Sequence, residues 1–472
     1  MSFDPTIVRA SLSELQDDPE ALIEIILRQA KKLHEQAEEL KKQQKRIRQL
    51  EQDQRKTHRT AAPHRIDEAK RTAQPKRPGR KKGHPGSYRR PPHQVDQTLE
   101  VALPACPHCH GALAGLRPVV QVIEDLPPVQ PQVTKLITYL GHCPDCGPVR
   151  SSHPMQCSHA EGAAGVHLGA NALALAAELI YDFGLTRRKV CRLFGQRFVL
   201  KVTPGALVQA AHRLAGRLGP LYEQLKAALR EAAVVHSDET SWYVGTSGGE
   251  PKAWLWVFCH REATIYRIER SRARQVITET LGADFPGVLV SDCLNIYDEA
   301  TPVQHKCYSH HLKAISQAIK QARACGGSTQ WLRQLRHLLK TAIVLKSVRS
   351  DLDAAQYGQY CEQLEQQADC VLAQARAGPE DQSIKQRLLK QRDHLFEFLY
   401  HAEVDATNNL AERQLRPAVI ARKLSCGNRS ERGARTWQVL ASLAATARQR
   451  GQCLSAWIVK ELSGAQPALP TR

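Results

Sequence analysis

Within residues 405–450, DATNNLAERQLRPAVIARKLSCGNRSERGARTWQVLASLAATARQR, one carboxylate, Glu412, stands among nine basic residues, with Asp405 and Glu431 the only other acids. At helical spacing Asn408, Glu412, Leu415 and Val419 fall on one side and Asn409, Arg413 and Arg416 on the next, so an acid is offered beside a cationic flank. That suits a cation-binding carboxylate working on a polyanion; the plainer alternative is a surface pair of Glu412 with Arg416. Two more acids close strand-like runs, Asp238 at the end of AAVVHSD (232–238) and Asp292 at the end of GVLVSD. Either aspartate alone reads as a turn residue, but the two at matching strand ends, with Glu412 to join them, read as a triad. Three such carboxylates suffice to hold two Mg2+, with Mn2+ as a substitute, about 3.5–4 Å apart for in-line phosphodiester displacement.

A second constellation is built of sulfur. Cys106-Pro-His-Cys109 is followed after 33 residues by Cys143-Pro-Asp-Cys146-Gly. Two such knuckles offer four thiolates to one structural Zn2+, with a redox dithiol as the other reading; His108, His110 and His142 are possible substitutes. The intervening VVQVIEDLPP and QVTKLITYLGH look like two strands, so a zinc ribbon over 101–155 is expected.

The elements that must position these groups follow from periodicity. Strand-like runs at 232–238, 253–260 and 263–269 precede the helical ARQVITETLG, the strand ending at Asp292 and a fifth run near 303–309. This order fits an RNase H-like mixed α/β core, its first part at 230–311 and its C-terminal part, with Glu412, at 405–472. Residues 312–404 read as a helical insertion broken at Ala377-Gly-Pro. Before the core, 160–229 is Ala- and Leu-rich and helical. LTRRKVCRLFG at 185–195 followed by Thr203-Pro204 suggests a helix-turn-helix, equally open to a packing role. Residues 20–56, within an N-terminal segment 1–57, carry a 3-4 apolar seam through Ile23, Ile26, Ala30, Leu33, Ala37, Leu40 and Ile47, expected to form a coiled coil and a homodimer or higher oligomer, or else one packed amphipathic helix. The linker 58–100 is Pro/Gly-rich, with eleven Lys or Arg against two acids over 59–93. Its PKRPGRKKGHPG stretch, with Arg80, Lys81 and Lys82, resembles a minor-groove arm, or is a solvated tether. The fold class is therefore multidomain α+β.

At 472 residues and a formal charge of +19, from 66 Lys and Arg against 47 Asp and Glu, the chain favours a polyanionic partner such as nucleic acid over a small neutral substrate. No run reaches the roughly 18 apolar residues of a membrane span, and the first twenty residues are acidic rather than signal-like, so a soluble intracellular protein is expected. The fourteen cysteines are dispersed apart from the knuckles and read as reduced thiols.

With these residues in view, the chain resembles a bacterial transposase of the insertion-sequence-66 family along nearly its whole length. The matching motifs are His236-Ser-Asp238-Glu-Thr240, Ser291-Asp292 followed by Tyr297, Cys307-Tyr-Ser-His310, and Asn408-Asn409-Leu-Ala-Glu412-Arg413-Gln-Leu-Arg416-Pro417, continued by Arg422-Lys423. Cys293-Leu294 departs from the small turn usual after the second aspartate, and Cys426 from a bulky apolar residue. The resemblance implies a DDE transposase with Asp238, Asp292 and Glu412 as catalytic acids. Such an enzyme frees 3′-hydroxyls at element ends and joins them to target DNA, is cytoplasmic and nucleoid-associated, and works with accessory proteins of the same element. Asn408, Asn409, Arg413, Arg416, Arg422 and Lys423 are assigned to orientation and phosphate contact. Two other readings stay open, an RNase H-like nuclease that cuts without joining and an inactive relic that binds DNA.

Overall fold

The computed structural model describes residues 92–127, 129–156, 166–245, 251–376 and 378–463, together with Glu38. Contacts divide the chain into two units, Met1–Glu124 and Asp125–Arg472. The expected coiled coil, Glu38 apart, and the arm residues Arg80, Lys81 and Lys82 lie outside the described residues.

In the first unit the described chain has no strand or helix over 92–124, and its ordered feature is the turn at Cys106–Cys109, closed by Cys106 N–H to Gly111 O (3.0 Å) and His110 N–H to Cys106 O (2.9 Å).

The second unit opens on a hairpin, β1 (Leu140–Cys143) and β2 (Gly147–Arg150), antiparallel with Cys143 opposite Gly147. The expectation of strands over VVQVIEDLPP and QVTKLITYLGH is corrected here: the described residues 119–139 form none, and the ribbon strands instead flank the second knuckle. Pro127 and Pro131 lack the N–H that a ladder needs, whereas Cys143-Pro-Asp-Cys146-Gly147 closes a tight turn whose glycine takes φ +79°.

Four helices follow: α1 (Ala170–Tyr181), α2 (Arg187–Arg197), α3 (Pro204–Arg217) and α4 (Gly219–Arg230). Thr186 and Thr203 cap α2 and α3 by accepting from Lys189 N–H and Ala206 N–H, and Pro204 begins α3 as expected. One face of α3 packs on the core. Ala211, Leu214 and Ala215 are buried in the same core as the sheet, and His212 Nδ1 lies 2.6 Å from Thr436 Oγ1.

The sheet has five strands: β3 (Val234–Tyr243), β4 (Lys252–His260), β5 (Ala263–Glu269), β6 (Val288–Ser291) and β7 (Gln304–Lys306), in the order β5-β4-β3-β6-β7. The first three are antiparallel meanders; β6 and β7 run parallel to β3, reached through α5 (Gln275–Leu281). This mixed α/β sheet is compatible with an RNase H-like core. Asp238 does not end its strand. The residues after it include the strand formers Thr240, Trp242 and Tyr243 and pair with β4 as far as Tyr243 opposite Lys252. The fifth run is shorter than expected, because helix geometry begins at Tyr308.

Five helices fill the insertion: α6 (Tyr308–Ala324), α7 (Gln330–Ser347), α8 (Ala354–Ala373), α9 (Pro379–Lys390) and α10 (Glu397–Tyr400). They share a core of their own, including Trp331, Leu335, Leu339 and Phe398, that reaches the sheet at Val288 and Val290. The chain closes with α11 (Asn409–Ser425), α12 (Glu431–Gln449) and α13 (Leu454–Leu462).

The period of two along each strand decides what faces what. On β3 and its neighbour, Val235, Leu289, Trp256 and Phe258 face the core shared with α1, α3, α4, α12 and α13. Trp242, Val244, Leu255 and Val257 face the other way, against Ala411, Leu415 and Ala418 of α11 and Ala434 and Ala441 of α12. Asp238 pairs with Val257, so it belongs to the α11 face, and Glu239, paired with Trp256, belongs to the opposite one.

Candidate active site

Asp238 and Asp292 meet through strand register. His236 pairs with Val290 in the parallel β3–β6 ladder, so two residues further along, Asp238 and Asp292 stand level on the same face of the sheet. Each has one carboxylate oxygen held by a backbone N–H. Asp238 Oδ1 accepts from Glu239 N at 2.8 Å, and Asp292 Oδ1 from Leu294 N at 2.9 Å. Leu294, one of the unusual residues after the second acid, thus supplies the turn that orients it.

Glu412 lies in the first turn of α11, which packs on the Asp238 face of the sheet. A clamp around Asn408 sets the start of that helix. The Asn408 amide, fully buried, donates from Nδ2 to Ser237 O (2.7 Å), so its Oδ1, 3.1 Å from His236 Nδ1, accepts the imidazole proton there. The Asn408 N–H points to Cys307 Sγ at 3.1 Å. One side chain therefore ties α11 to β3, and one backbone group ties it to the β7–α6 junction. Its burial removes Asn408 from phosphate contact and leaves it the orienting role. Asn409, Arg413, Arg416 and Lys423 are exposed along the same helix. Arg422, also expected at phosphate, is committed elsewhere: its Nη1 donates to Thr240 Oγ1 (3.1 Å) and Ser241 Oγ (2.9 Å), binding the far end of α11 to β3. Ion pairs among the described residues do not include Glu412 with Arg416.

The helix then ends on Cys426 in the left-handed conformation (φ 59°) followed by Gly427 (φ +98°), where a Cβ would stand 2.4 Å from Tyr243 O. This tight passage lets Asn428 N–H bond Tyr243 O (2.9 Å) and Asn428 Oδ1 accept from Trp242 Nε1 (2.8 Å).

The acids repel one another. Burial, then Glu239, Asp292 and, more weakly, Glu412 push Asp238 up to about 7, against the pull of the Glu239 N–H. Glu239 is not a free member of the group. On the opposite face its Oε1 accepts from Arg272 Nη2 (2.5 Å) and its Oε2 from the Tyr297 hydroxyl (2.5 Å), with the Arg272 guanidinium stacked 4.3 Å from the Trp254 ring. Beneath Asp292 lies Lys306, fully buried, its Nζ 3.4 Å from Ser291 Oγ and 3.6 Å from Asp298 Oδ1. Burial pulls its ammonium below the ordinary lysine value, opposed by Asp298, Cys293 and Asp292. Sequence reasoning missed Glu239, Arg272 and Lys306. The alternation of β3 could have placed Glu239 opposite Asp238, but nothing local pairs it with Arg272.

The chemistry of this donor set fits divalent cations. Burial and Glu239 raise Asp238 most, Asp292 and Glu412 add to it, both aspartates keep an oxygen not bound by these N–H groups, and the share of the rise that comes from the acids is what a cation would relieve.

The two knuckles are each preorganised. In the Cys106 turn the N–H groups of His108 and Cys109 hold the Cys106 thiol below its ordinary pKa, and at the β1–β2 turn those of Cys146 and Asp145 do the same for Cys143.

A family model described as "Transposase IS66 family" matches residues 165–436, the span from α1 through the start of α12. The chain belongs to that family. The match takes in the whole sheet, the insertion and all three acids of this IS66-family chain. It is also similar to the uncharacterized protein y4qI of Sinorhizobium fredii, 24% identical over 294 residues, covering 56% of this chain and 53% of that protein. The IS66-family chain thus spans about half the length of the curated relative it matches. No helix among its described residues is long and apolar enough to cross a membrane.

Proposed function

We propose that this chain is a DDE-type DNA transposase, cutting the ends of an insertion sequence and joining the freed 3′-hydroxyls to target DNA. What supports the reading is that Asp292 and Glu412 both act on Asp238, adding to burial and Glu239 in raising its carboxyl, with α11 packed on the Asp238 face of the sheet. Family membership supplies the DNA substrate class.

Asp238, Asp292 and Glu412 would hold two Mg2+, or Mn2+, which when bound supply Lewis acidity toward the phosphate and its entering and leaving oxygens. The protein's own part is placement. The Asn408 clamp and Arg422 fix both ends of α11, the helix that carries Glu412 on the Asp238 face of the sheet. Exposed Asn409, Arg413, Arg416 and Lys423 line the same helix and would take the DNA backbone, orienting the scissile phosphate. Water is the nucleophile in the first displacement and the freed 3′-hydroxyl in the second. One site serves both, and no covalent protein intermediate is required. Cys106, Cys109, Cys143 and Cys146 are proposed to bind one structural Zn2+, a role that the thiolate-favouring turns support. Dimerisation through 20–56 and a DNA-binding arm at Arg80, Lys81 and Lys82 complete the reading. The test is a cleavage and strand-transfer assay on the element's own terminal repeats, with and without Mg2+. Joined product dependent on the metal supports the proposal, cleavage without joining reduces it to a nuclease, and DNA binding without either leaves a relic.

A further inference from the structure

The acid site has a neighbour of different chemistry. Cys307, at the N-cap of α6, His310, in the first turn of α6, and Glu412, in the first turn of α11, each present one ligand atom, and these atoms lie within 4.8 Å of one another. The thiol is buried, while the imidazole and the carboxylate are half-buried, so a solvated ion has a way in. His310 Nδ1 is itself buried with no hydrogen-bond partner among the described residues, while the imidazole and the Cys307 thiol are close enough to act on each other.

Donor type sorts the cations. Mg2+ wants an octahedron of oxygens and gains little from a thiolate or an imidazole, whereas Zn2+ takes sulfur, nitrogen and oxygen together in a tetrahedron. Tetrahedral bonds of about 2.0–2.3 Å put ligand atoms roughly 3.3–3.7 Å apart. The three atoms here would need to close by roughly 1 Å, within reach of the Glu412 side chain, whose torsions are free to turn. Three protein ligands leave the fourth position open to water.

We propose that Cys307, His310 and Glu412 form a second cation site, separate from the aspartate pair and selective for Zn2+ or a comparable borderline transition metal. The site stands on its own geometry; its consequence, that Zn2+ here engages the carboxylate otherwise directed at Asp238 and Asp292, rests on the transposase reading. The competing role for Cys307 is that of a helix cap, accepting the Asn408 N–H. Serine keeps that acceptor and loses the thiolate, so it separates the two roles.

The test is zinc content of the full chain after loading with Zn2+ and desalting, for the wild type, Cys307→Ser, His310→Gln and Glu412→Gln. The expected result is one zinc per chain fewer in Cys307→Ser and His310→Gln than in the wild type, with Glu412→Gln holding the same ion at least tenfold more weakly. The four-cysteine knuckles contribute equally to all four proteins and cancel. Should Cys307→Ser fail to fold, as circular dichroism would show, half-buried His310→Gln carries the test. Equal zinc in the wild type and folded His310→Gln overturns the proposal. Mg2+-dependent cleavage by zinc-free wild type is measured in parallel, so failure of the transposase reading leaves the zinc result standing, and the reverse.

Discussion

The acid site and the Cys143–Cys146 hairpin belong to one unit of the chain but are built in opposite ways. The hairpin is local: a three-residue turn between two four-residue strands, mostly exposed, with backbone N–H groups that follow the Cys143 sulfur they serve by two and three residues. The acid site is assembled from distant pieces, with Asn408 reaching back to Ser237 and His236 across more than 170 residues and to Cys307 across 101. A site of the first kind keeps its ligands together whenever the turn forms. One of the second kind exists only when the sheet, the insertion and α11 are all in place, so its chemistry and the stability of the core are one property.

The strongest way to break that contrast is Asn408→Ala. It strips partners from Ser237 O and His236 Nδ1 inside the core and loosens α11, at an expected cost of about 2–4 kcal/mol in unfolding free energy, with cleavage falling alongside. A chemical-denaturation midpoint unchanged from wild type would show that the clamp is dispensable.

An effect of comparable size and opposite sign is expected at Asp238. Its carboxyl is raised in the folded chain from 3.8 to about 7, so between those values the native state binds more protons than the unfolded state and stability falls as pH rises. That contribution is intact below about pH 4 and lost above about pH 7. Asp238→Asn removes it, so in the absence of divalent cation the variant should gain on the wild type across this window, by up to about 4 kcal/mol at pH 8. Added Mg2+ should stabilise the wild type and not the variant. Thermal melts at several pH values read both, and a constant difference between the two proteins would show that Asp238 carries no excess repulsion.

Smallest of all is the expected effect of Cys143→Ser on the sheet. No residue of β1 or β2 belongs to the buried clusters, so the main unfolding transition should move by less than about 0.5 kcal/mol while the zinc proposed for the knuckles is lost. A large shift would mean that the hairpin is part of the core after all.

What the sequence made legible follows the same division. The strand runs of the five-stranded sheet, the break before Pro379, the cap Thr203 and the turn of each knuckle are written in neighbouring residues, and the structure has them. The parity that puts Asp238 and Asp292 on one face was implicit in the strands, but the ending of β3 was misjudged because Asp238 is a poor strand former held in place by its pairing with β4. Arg422 looked like a phosphate ligand because its commitment to Thr240 and Ser241 depends on a residue 182 positions away. Lys306 and Arg272 were invisible for that reason too. A buried cation announces itself only once the acids around it are in place.

The most direct measurement is Glu412→Gln, which keeps the shape of the side chain and removes the charge a cation needs. Gel shift and Mg2+-dependent strand transfer on the element's terminal repeats, with one preparation, measure binding and chemistry separately. With Glu412 as the third acid, DNA binding persists while cleavage and joining both fall by orders of magnitude, since both steps use one site. Joining by the Gln variant at near wild-type rate would contradict the account.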